Sequence, residues 1–298
     1  MSVYLVAGAA GFIGAEVARQ LLEQGHQVIG IDNLNDVYDV RLKQWRISQL
    51  VSPAWTFHQV DVCDRAALDQ IWNQSAHIDA VINLAAQAGV RRSVENPYIY
   101  FETNVIGTLN LLELCRTSGV NKFVLASSSS CYGDSDNMPF REDANASRPL
   151  SPYAASKKSA EVLCYSYHHL YHIDMSMLRF FTVYGPAGRP DMGVFRFIRW
   201  ISQGEPVTIY GDGTQSRDFT YVGDIARGVL ASLQPVGYEI LNLGSDHPVV
   251  LSSVIRLIEQ ALGKTANLHY KPAHSADVSA TWANVDKARQ LLNWSPQI

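Results

Sequence analysis

The sequence predicts an α/β fold built on a doubly wound parallel sheet, and three observations carry that prediction. Short β-prone apolar runs alternate with amphipathic helical stretches through residues 1–180. The first run leads at once into a glycine-rich turn. Gly8, Asp32, Asp61, Ala85 and Ser128 each stand at the end of an expected strand, along one edge of the sheet. Ligands of such sheets bind beyond that edge.

Residues 3–7 are the first strand, followed by Gly8, Gly11, Phe12, Ile13 and Gly14. Residues 16–23 read as an amphipathic helix closed by Gly25, and residues 27–31 as a second strand ending in Asp32 and Asn33. Strand, glycine turn, helix and strand within about 30 residues is the Rossmann-type arrangement. The glycines let the backbone approach a pyrophosphate, and the helix start offers free N–H groups to it. Asp32 is placed to accept hydrogen bonds from a ribose diol and would repel a 2′-phosphate, which favours NAD over NADP.

The alternation continues. Residues 55–60 are a strand ending in Asp61 and Val62, and 65–74 a helix. Residues 78–84 are a strand that ends at Leu84 and runs into Ala85, Ala86 and Gln87. Residues 97–116 form a long helix containing Asn104, 122–126 a strand running into four serines, 151–171 a helix and 174–180 a strand. This assigns residues 1–180 to an NAD-binding domain. Residues 181–298 are mainly a smaller substrate-binding domain, with some later segments returning to the first.

Composition bounds the function. A chain of 298 residues, 47% apolar and 17% charged, suits one large globular domain or two smaller ones. The net charge of −4 and the lack of a basic tract give no sign of a nucleic-acid partner. No apolar stretch reaches membrane-spanning length, and the first residues lack the basic segment and apolar run of a signal peptide. A cytoplasmic protein is therefore expected. Cys63, Cys115, Cys131 and Cys164 are far apart and follow no metal spacing, so they read as buried thiols. His168 and His169 fall late on the 151–171 helix and His172 just past it, where a surface or partner-contact role is expected in preference to a metal.

Chemistry centres on Tyr153 and Lys157. Ser151 and Pro152 are an N-cap and a first-turn proline, so Tyr153 and Lys157 lie a turn apart on one helix face. A nearby ammonium favours a phenolate and lowers its pKa, which makes the pair a base for an alcohol proton.

Gly-x-x-Gly-x-x-Gly, the run Ser127-Ser128-Ser129-Ser130-Cys131-Tyr132-Gly133 and Tyr-x-x-x-Lys together resemble the extended short-chain dehydrogenases/reductases, and more narrowly the nucleotide-sugar epimerases. The stretch from Asn83 to Arg91 and that from Phe181 to Met192 are similar to those of UDP-glucuronate 4-epimerases. The stretch from Ile209 to Phe219 is similar to the nucleotide-contacting strand and loop of the wider group. The resemblance implies a reversible NAD-dependent inversion at C4 of UDP-glucuronic acid to UDP-galacturonic acid through a 4-keto intermediate, serving carbohydrate metabolism and polysaccharide synthesis. It implies Ser128, Tyr153 and Lys157 as the catalytic set. It also implies Gln87, Ser129 and Ser130 as substrate contacts, and Thr182 and Arg189 as receivers of a sugar carboxylate. Arg91 and Arg217 would face the sugar or diphosphate, Tyr210 the uracil and Asp277 the uridine ribose. Leu84, Ala85, Ala86, Asn104, Asp61 and Val62 would line the NAD. A homodimer through a four-helix bundle of the 97–116 and 151–171 helices is also implied.

Departures narrow the choice. Sugar dehydratases of the superfamily carry an Asp-Glu pair where Ser129-Ser130 stand, and decarboxylating relatives a Glu at Ser130, so elimination and decarboxylation are disfavoured. The segment 271–277 lacks the arginine often found before the acidic residue, and the chain ends where the family usually adds a helix. Arg189 has the plainer reading of a loop arginine, and Arg217 beside Asp218 that of a surface ion pair. The alternatives are a UDP-glucose 4-epimerase, a UDP-glucuronate decarboxylase and a non-catalytic NAD sensor on the same fold.

Overall fold

The computed structural model describes residues 1–75, 77–134, 137–273 and 277–298. In chain order it begins with β1 (Val3–Ala7), α1 (Phe12–Glu23), β2 (Gln27–Asp32), α2 (Val40–Ser48), β3 (Trp55–Gln59), α3 (Arg65–Gln74) and β4 (Ala80–Asn83). A short α4 (Val90–Glu95) precedes a longer helical stretch in three parts: α5 (Tyr98–Phe101), a π-helical turn (Glu102–Ile106) and α6 (Gly107–Ser118). Then follow β5 (Lys122–Ser128), a 3₁₀ turn (Ser129–Tyr132), α7 (Pro152–Tyr171) and β6 (Asp174–Phe180). The rest comprises β7 (Thr182–Tyr184), α8 (Gly193–Gln203), β8 (Pro206–Tyr210), β9 (Ser216–Tyr221), α9 (Val222–Ala231), β10 (Tyr238–Leu243), β11 (Pro248–Val250), α10 (Leu251–Leu262), β12 (Asn267–Lys271) and α11 (Asp286–Leu292).

Seven parallel strands form the main sheet, in the order β3-β2-β1-β4-β5-β6-β10. The order reverses between β1 and β4, the switch point where ligands of doubly wound sheets bind. Ala7 is in register with both Ile31 and Asn83, so three strands end at one level there.

Alternation along each strand builds the core on both faces. Leu5, Ala7, Val81, Phe123 and Leu125 face one cluster, with Leu68 and Ile71 of α3, Leu111 and Leu112 of α6, and Ala160 and Cys164 of α7. Val6, Ile82, Val124 and Ala126 face the other, with Val17 and Leu21 of α1, Ile225 and Val229 of α9, and Ala288 and Leu292 of α11. A third cluster, Phe197, Ile201, Val207, Ile209, Ile255 and Ile258, binds α8, β8 and α10 together. Near the C-terminus Trp294 is buried, while Leu291 and Ile298 are exposed.

The expected elements differ from the observed ones at their ends. α1 starts at Phe12, inside the glycine turn and before the expected residue 16; its first residues, Phe12, Ile13, Gly14 and Ala15, carry no polar side chain to mark the start in the sequence. β5 runs on through Ser127 and Ser128, which are paired with Arg179 and Phe180 of β6. The expected single helix over residues 97–116 instead contains the wider π turn at Asn104.

Candidate active site

The glycine turn is built for close approach. Gly8 has φ +79°, and a Cβ there would lie 2.7 Å from the Ala85 nitrogen; a Cβ at Gly14 would lie 2.1 Å from the Gly8 oxygen. The Gly8 carbonyl is held by the Gly11 N–H at 3.0 Å, and α1 opens directly above. This leaves a bare backbone cradle at a helix start, which fits the pyrophosphate of a dinucleotide.

A cleft of about 440 Å³ runs along the strand ends. It is lined by Gly8, Gly11, Phe12, Ile13, Gly14, Asp32, Asn33, Asp61, Val62, Leu84, Ala85 and Ala86, and farther along by Gln87, Ser128, Ser129, Ser130, Tyr153, Lys157, Thr182, Arg189, Arg217 and Asp277. An adjoining hollow of about 470 Å³ adds Arg91 and Tyr210 and shares Thr182, Arg189, Arg217 and Asp277. Twenty-four of the expected positions thus line these two adjoining hollows, counting Tyr153 and Lys157 once each.

Around Asp32, one carboxylate oxygen accepts the Ala10 N–H at 3.2 Å, the other the Leu34 N–H at 2.8 Å. Lys43 reaches the same carboxylate at 3.4 Å and donates to Asn35 at 2.8 Å. Burial pushes the Lys43 ammonium below its ordinary value, with Asp32 opposing. Asn33 donates to Asp61 at 2.7 Å, tying two strand ends together.

Asn104 is the expected position that lies behind the cleft. It is buried at 2% exposure. Its amide accepts from the Gln87 N–H at 2.9 Å and donates to the Gln87 carbonyl at 3.0 Å and to Ser156 at 2.9 Å. Ser156 in turn donates to the Tyr153 carbonyl at 2.8 Å. The π turn thereby joins the β4 exit loop to the helix that carries Tyr153.

α7 begins as the sequence suggests, with the Ser151 hydroxyl accepting the Ala154 N–H at 3.2 Å. Lys157 is buried and donates to the Ala126 carbonyl at 2.8 Å. Burial lowers its ammonium to about 8. The phenol of Tyr153 corrects an expectation: it stands above its ordinary value, not below. Burial raises it most, and a hydrogen bond from Ser128 and the Arg189 guanidinium pull it back. Lys157 directs its bond to Ala126 instead. Tyr100 packs edge-on against Tyr153, ring centroids 6.1 Å apart.

Arg189 is no free loop arginine. Its Nε and Nη2 hold Asp191 at 3.1 and 2.6 Å, and Nη2 also reaches the Ala88 carbonyl at 3.4 Å. Arg91 holds Asp277 at 2.5 Å and lies 3.8 Å over the Tyr210 ring. Arg91, on α4, is thus the cation that meets Asp277 among the described residues; residues 274–276 lie outside them. Arg217 does not form a surface pair with its neighbour. Asp218 is fully buried and accepts N–H groups of Ser245, Asp246 and Ala283, while Arg217 donates to the Ser216 and Ser279 carbonyls.

Three residues escaped the sequence reading. Asp191 was signalled only by its place two residues after Arg189. Glu161, one turn after Lys157, binds Arg179 and Ser127 beneath the serine run. Arg46 had no signal, since it makes an otherwise apolar position cationic. The histidines behave as helix-end residues: His168 bonds the Ile173 carbonyl at 2.9 Å and His172 ends α7 at φ +57°. Cys115, Cys131 and Cys164 are buried, and Cys63 is half-buried.

A dinucleotide cradle joined to a Ser, Tyr and Lys set at the ends of a parallel sheet defines an enzyme that draws hydride chemistry from a nicotinamide cofactor. The chain belongs to the NAD dependent epimerase/dehydratase family, whose model matches residues 4–244. It is 55% identical to a UDP-glucuronate 4-epimerase of Thermodesulfobacterium geofontis, covering 100% of this chain and 92% of that one. It superposes with a TM-score of 0.92 and 37% identity on the UDP-glucuronic acid 4-epimerase of Bacillus cereus, solved with UDP-glucuronic acid and NAD, covering 99% of this chain and 94% of that one. Against the UDP-glucose 4-epimerase of Thermotoga maritima, solved with UDP-glucose, the TM-score is 0.91 at 31% identity, covering 99% and 94%.

Proposed function

We propose that this enzyme interconverts UDP-glucuronic acid and UDP-galacturonic acid by inverting C4, with NAD as a regenerated cofactor. Residues 1–180 hold the dinucleotide and residues 181–298 mainly the UDP-sugar. Bound NAD supplies the hydride acceptor that carries C4 through a 4-keto stage and the donor that closes the cycle. Tyr153, bonded by Ser128, takes the C4 hydroxyl proton and later returns it. Lys157 keeps a cation in a dry site beside the nicotinamide ribose. Gln87, Ser129 and Ser130 contact the sugar. Thr182 and Arg189 hold its carboxylate in the ring plane, which disfavours loss of CO2 from the keto acid. Arg91, Tyr210, Arg217 and Asp277 seat the uridine diphosphate.

One observation supports the acid-sugar reading: Thr182 and Arg189 line the same cleft as Tyr153, so a guanidinium able to receive a carboxylate shares the cavity of the base. The protein acts in the cytoplasm; among the described residues no helix is long and apolar enough to cross a membrane. It pairs as a homodimer through exposed apolar side chains: Phe101 on α5, Ile106 in the π turn, and Val162 and Tyr165 on α7.

The test is to incubate the protein, without added cofactor and then with NAD+, with UDP-glucuronate and UDP-glucose side by side, and to separate the products. Conversion of the acid with little pentose product is the expected result. Turnover of UDP-glucose alone would keep the chemistry and remove the carboxylate pocket. No turnover of either would favour the sensor.

A further inference from the structure

Arg46 sits inside α2 at 3% exposure and places four N–H contacts on three segments. Nη1 donates to the Ala10 carbonyl in the glycine turn at 3.1 Å and to the Tyr38 hydroxyl at 2.7 Å. Nε and Nη2 both donate to the Ala187 carbonyl, at 3.1 and 2.7 Å. Ala187 lies two residues before Arg189 and is held at φ +54°, a conformation that residues other than glycine rarely adopt. The same loop is backed by Phe12, whose ring would lie 3.9 Å from a Cβ at Gly188.

We propose that Arg46 is a positioning residue for the sugar carboxylate: it fastens the 187–189 backbone to the glycine turn and so sets where the Arg189 guanidinium stands relative to Tyr153. The inference rests on the assignment of Arg189 to the carboxylate made above. Asp191 fixes the direction of the Arg189 fork, and Arg46 fixes the height of the loop that bears it. Only a planar, multiply donating cation does this. A lysine ammonium is a single point and cannot span the Ala10 and Ala187 carbonyls with the same geometry. Recognition of an acid sugar therefore depends on a helix of the dinucleotide-binding half.

Affinities for UDP-glucuronate and for UDP, measured by calorimetry on NAD-loaded protein, test this. All variants carry Tyr153→Phe so that the ligand is not turned over, and Arg46→Lys, Arg46→Met, Arg189→Ala and the Arg46→Lys/Arg189→Ala pair are compared. Arg46→Lys is expected to weaken UDP-glucuronate on the order of ten-fold, with UDP changed less than about two-fold, since small misplacements of a positioned group are costly. Adding it to Arg189→Ala is expected to cost nothing further, because the two act through one contact. Parallel weakening of UDP and UDP-glucuronate would overturn the inference, as would losses that add in full. If Arg189→Ala weakens the acid sugar and Arg46→Lys does not, the inference alone fails. If Arg189→Ala leaves it unchanged, the assignment of Arg189 fails and takes the inference with it. Should Arg46→Met not fold, Arg46→Lys keeps the charge and decides the matter.

Discussion

Both oxygens of Glu161 are taken by the Arg179 guanidinium, each at 2.8 Å, with the two side chains at 1% exposure. Ser127 donates to the same carboxylate at 2.6 Å and Lys158 at 3.0 Å. Burial pushes the Glu161 carboxyl up, but Arg179, Ser127 and Lys158 outweigh it and leave it below its ordinary value. Glu161→Gln leaves a guanidinium without its counter-charge in a dry interior and is expected to cost about 3–5 kcal/mol in urea unfolding. Replacing both partners by leucine and methionine is expected to cost much less. Because the folded value is depressed, the pair's contribution is present above about pH 4.5 and is lost as pH falls through the folded value. A single variant as stable as the parent would show the pair to be inert.

Tyr153→Phe removes the proton acceptor and is expected to lower turnover by about 10²–10⁴-fold with bound NAD retained. Ser128→Ala is expected to fall short of that loss, since it removes one hydrogen bond to the phenol. Product chromatography with cofactor content by absorbance checks both. Retained turnover in Tyr153→Phe would move the base elsewhere.

Lys157 pays for its place in the site in folding stability. Its ammonium is lowered to about 8 by burial, against 10.5 in the unfolded chain. Between those values the unfolded chain binds the proton and the folded one does not, so this residue's contribution to stability rises with pH across that window. Below it both states are charged and the burial cost is present in full. Measured on cofactor-free protein, the stability of wild type relative to Lys157→Met is expected to improve from pH 7.5 to pH 9.5 by on the order of 1–2 kcal/mol. A constant difference would place the ammonium in contact with water.

Asp32 faces Lys43 across 3.4 Å. Asp32→Ser removes the charge that would repel a 2′-phosphate and leaves the ammonium in place, so NADP binding is expected to rise about ten-fold or more relative to NAD. Titration of both cofactors checks the ratio. An unchanged preference would mean that Asp32 acts on the glycine turn alone, through its bond from Ala10.

What the sequence revealed follows from where its polar residues point. α1 and α3 have apolar stripes facing the sheet, and alternating strand residues feed two core clusters, so period alone finds them. α2 was invisible because its pattern is inverted: Lys43 and Arg46 are its buried residues, turned inward to Asp32, Ala10 and Ala187. The π turn was invisible because one extra residue in a helix leaves no mark on composition; Asn104 pins it through contacts 17 and 52 residues away. The cleft residues that followed strand ends were legible, since topology alone delivers them to one edge. The ion pairs that hold Arg91 and Arg189 were not, because Asp277 and Asp191 are matched to them only by folded geometry.

The last strand of the large sheet, β10, comes from residues 238–243 and pairs along its whole length with β6. Until those residues leave the ribosome, β6 presents an open row of N–H and C=O groups, the kind of edge that invites pairing with another nascent chain. The dinucleotide half is therefore unfinished when its own residues have all been synthesised. Its completion is a late event of translation, and a fragment cut at residue 180 would be an aggregation hazard and not a self-standing domain.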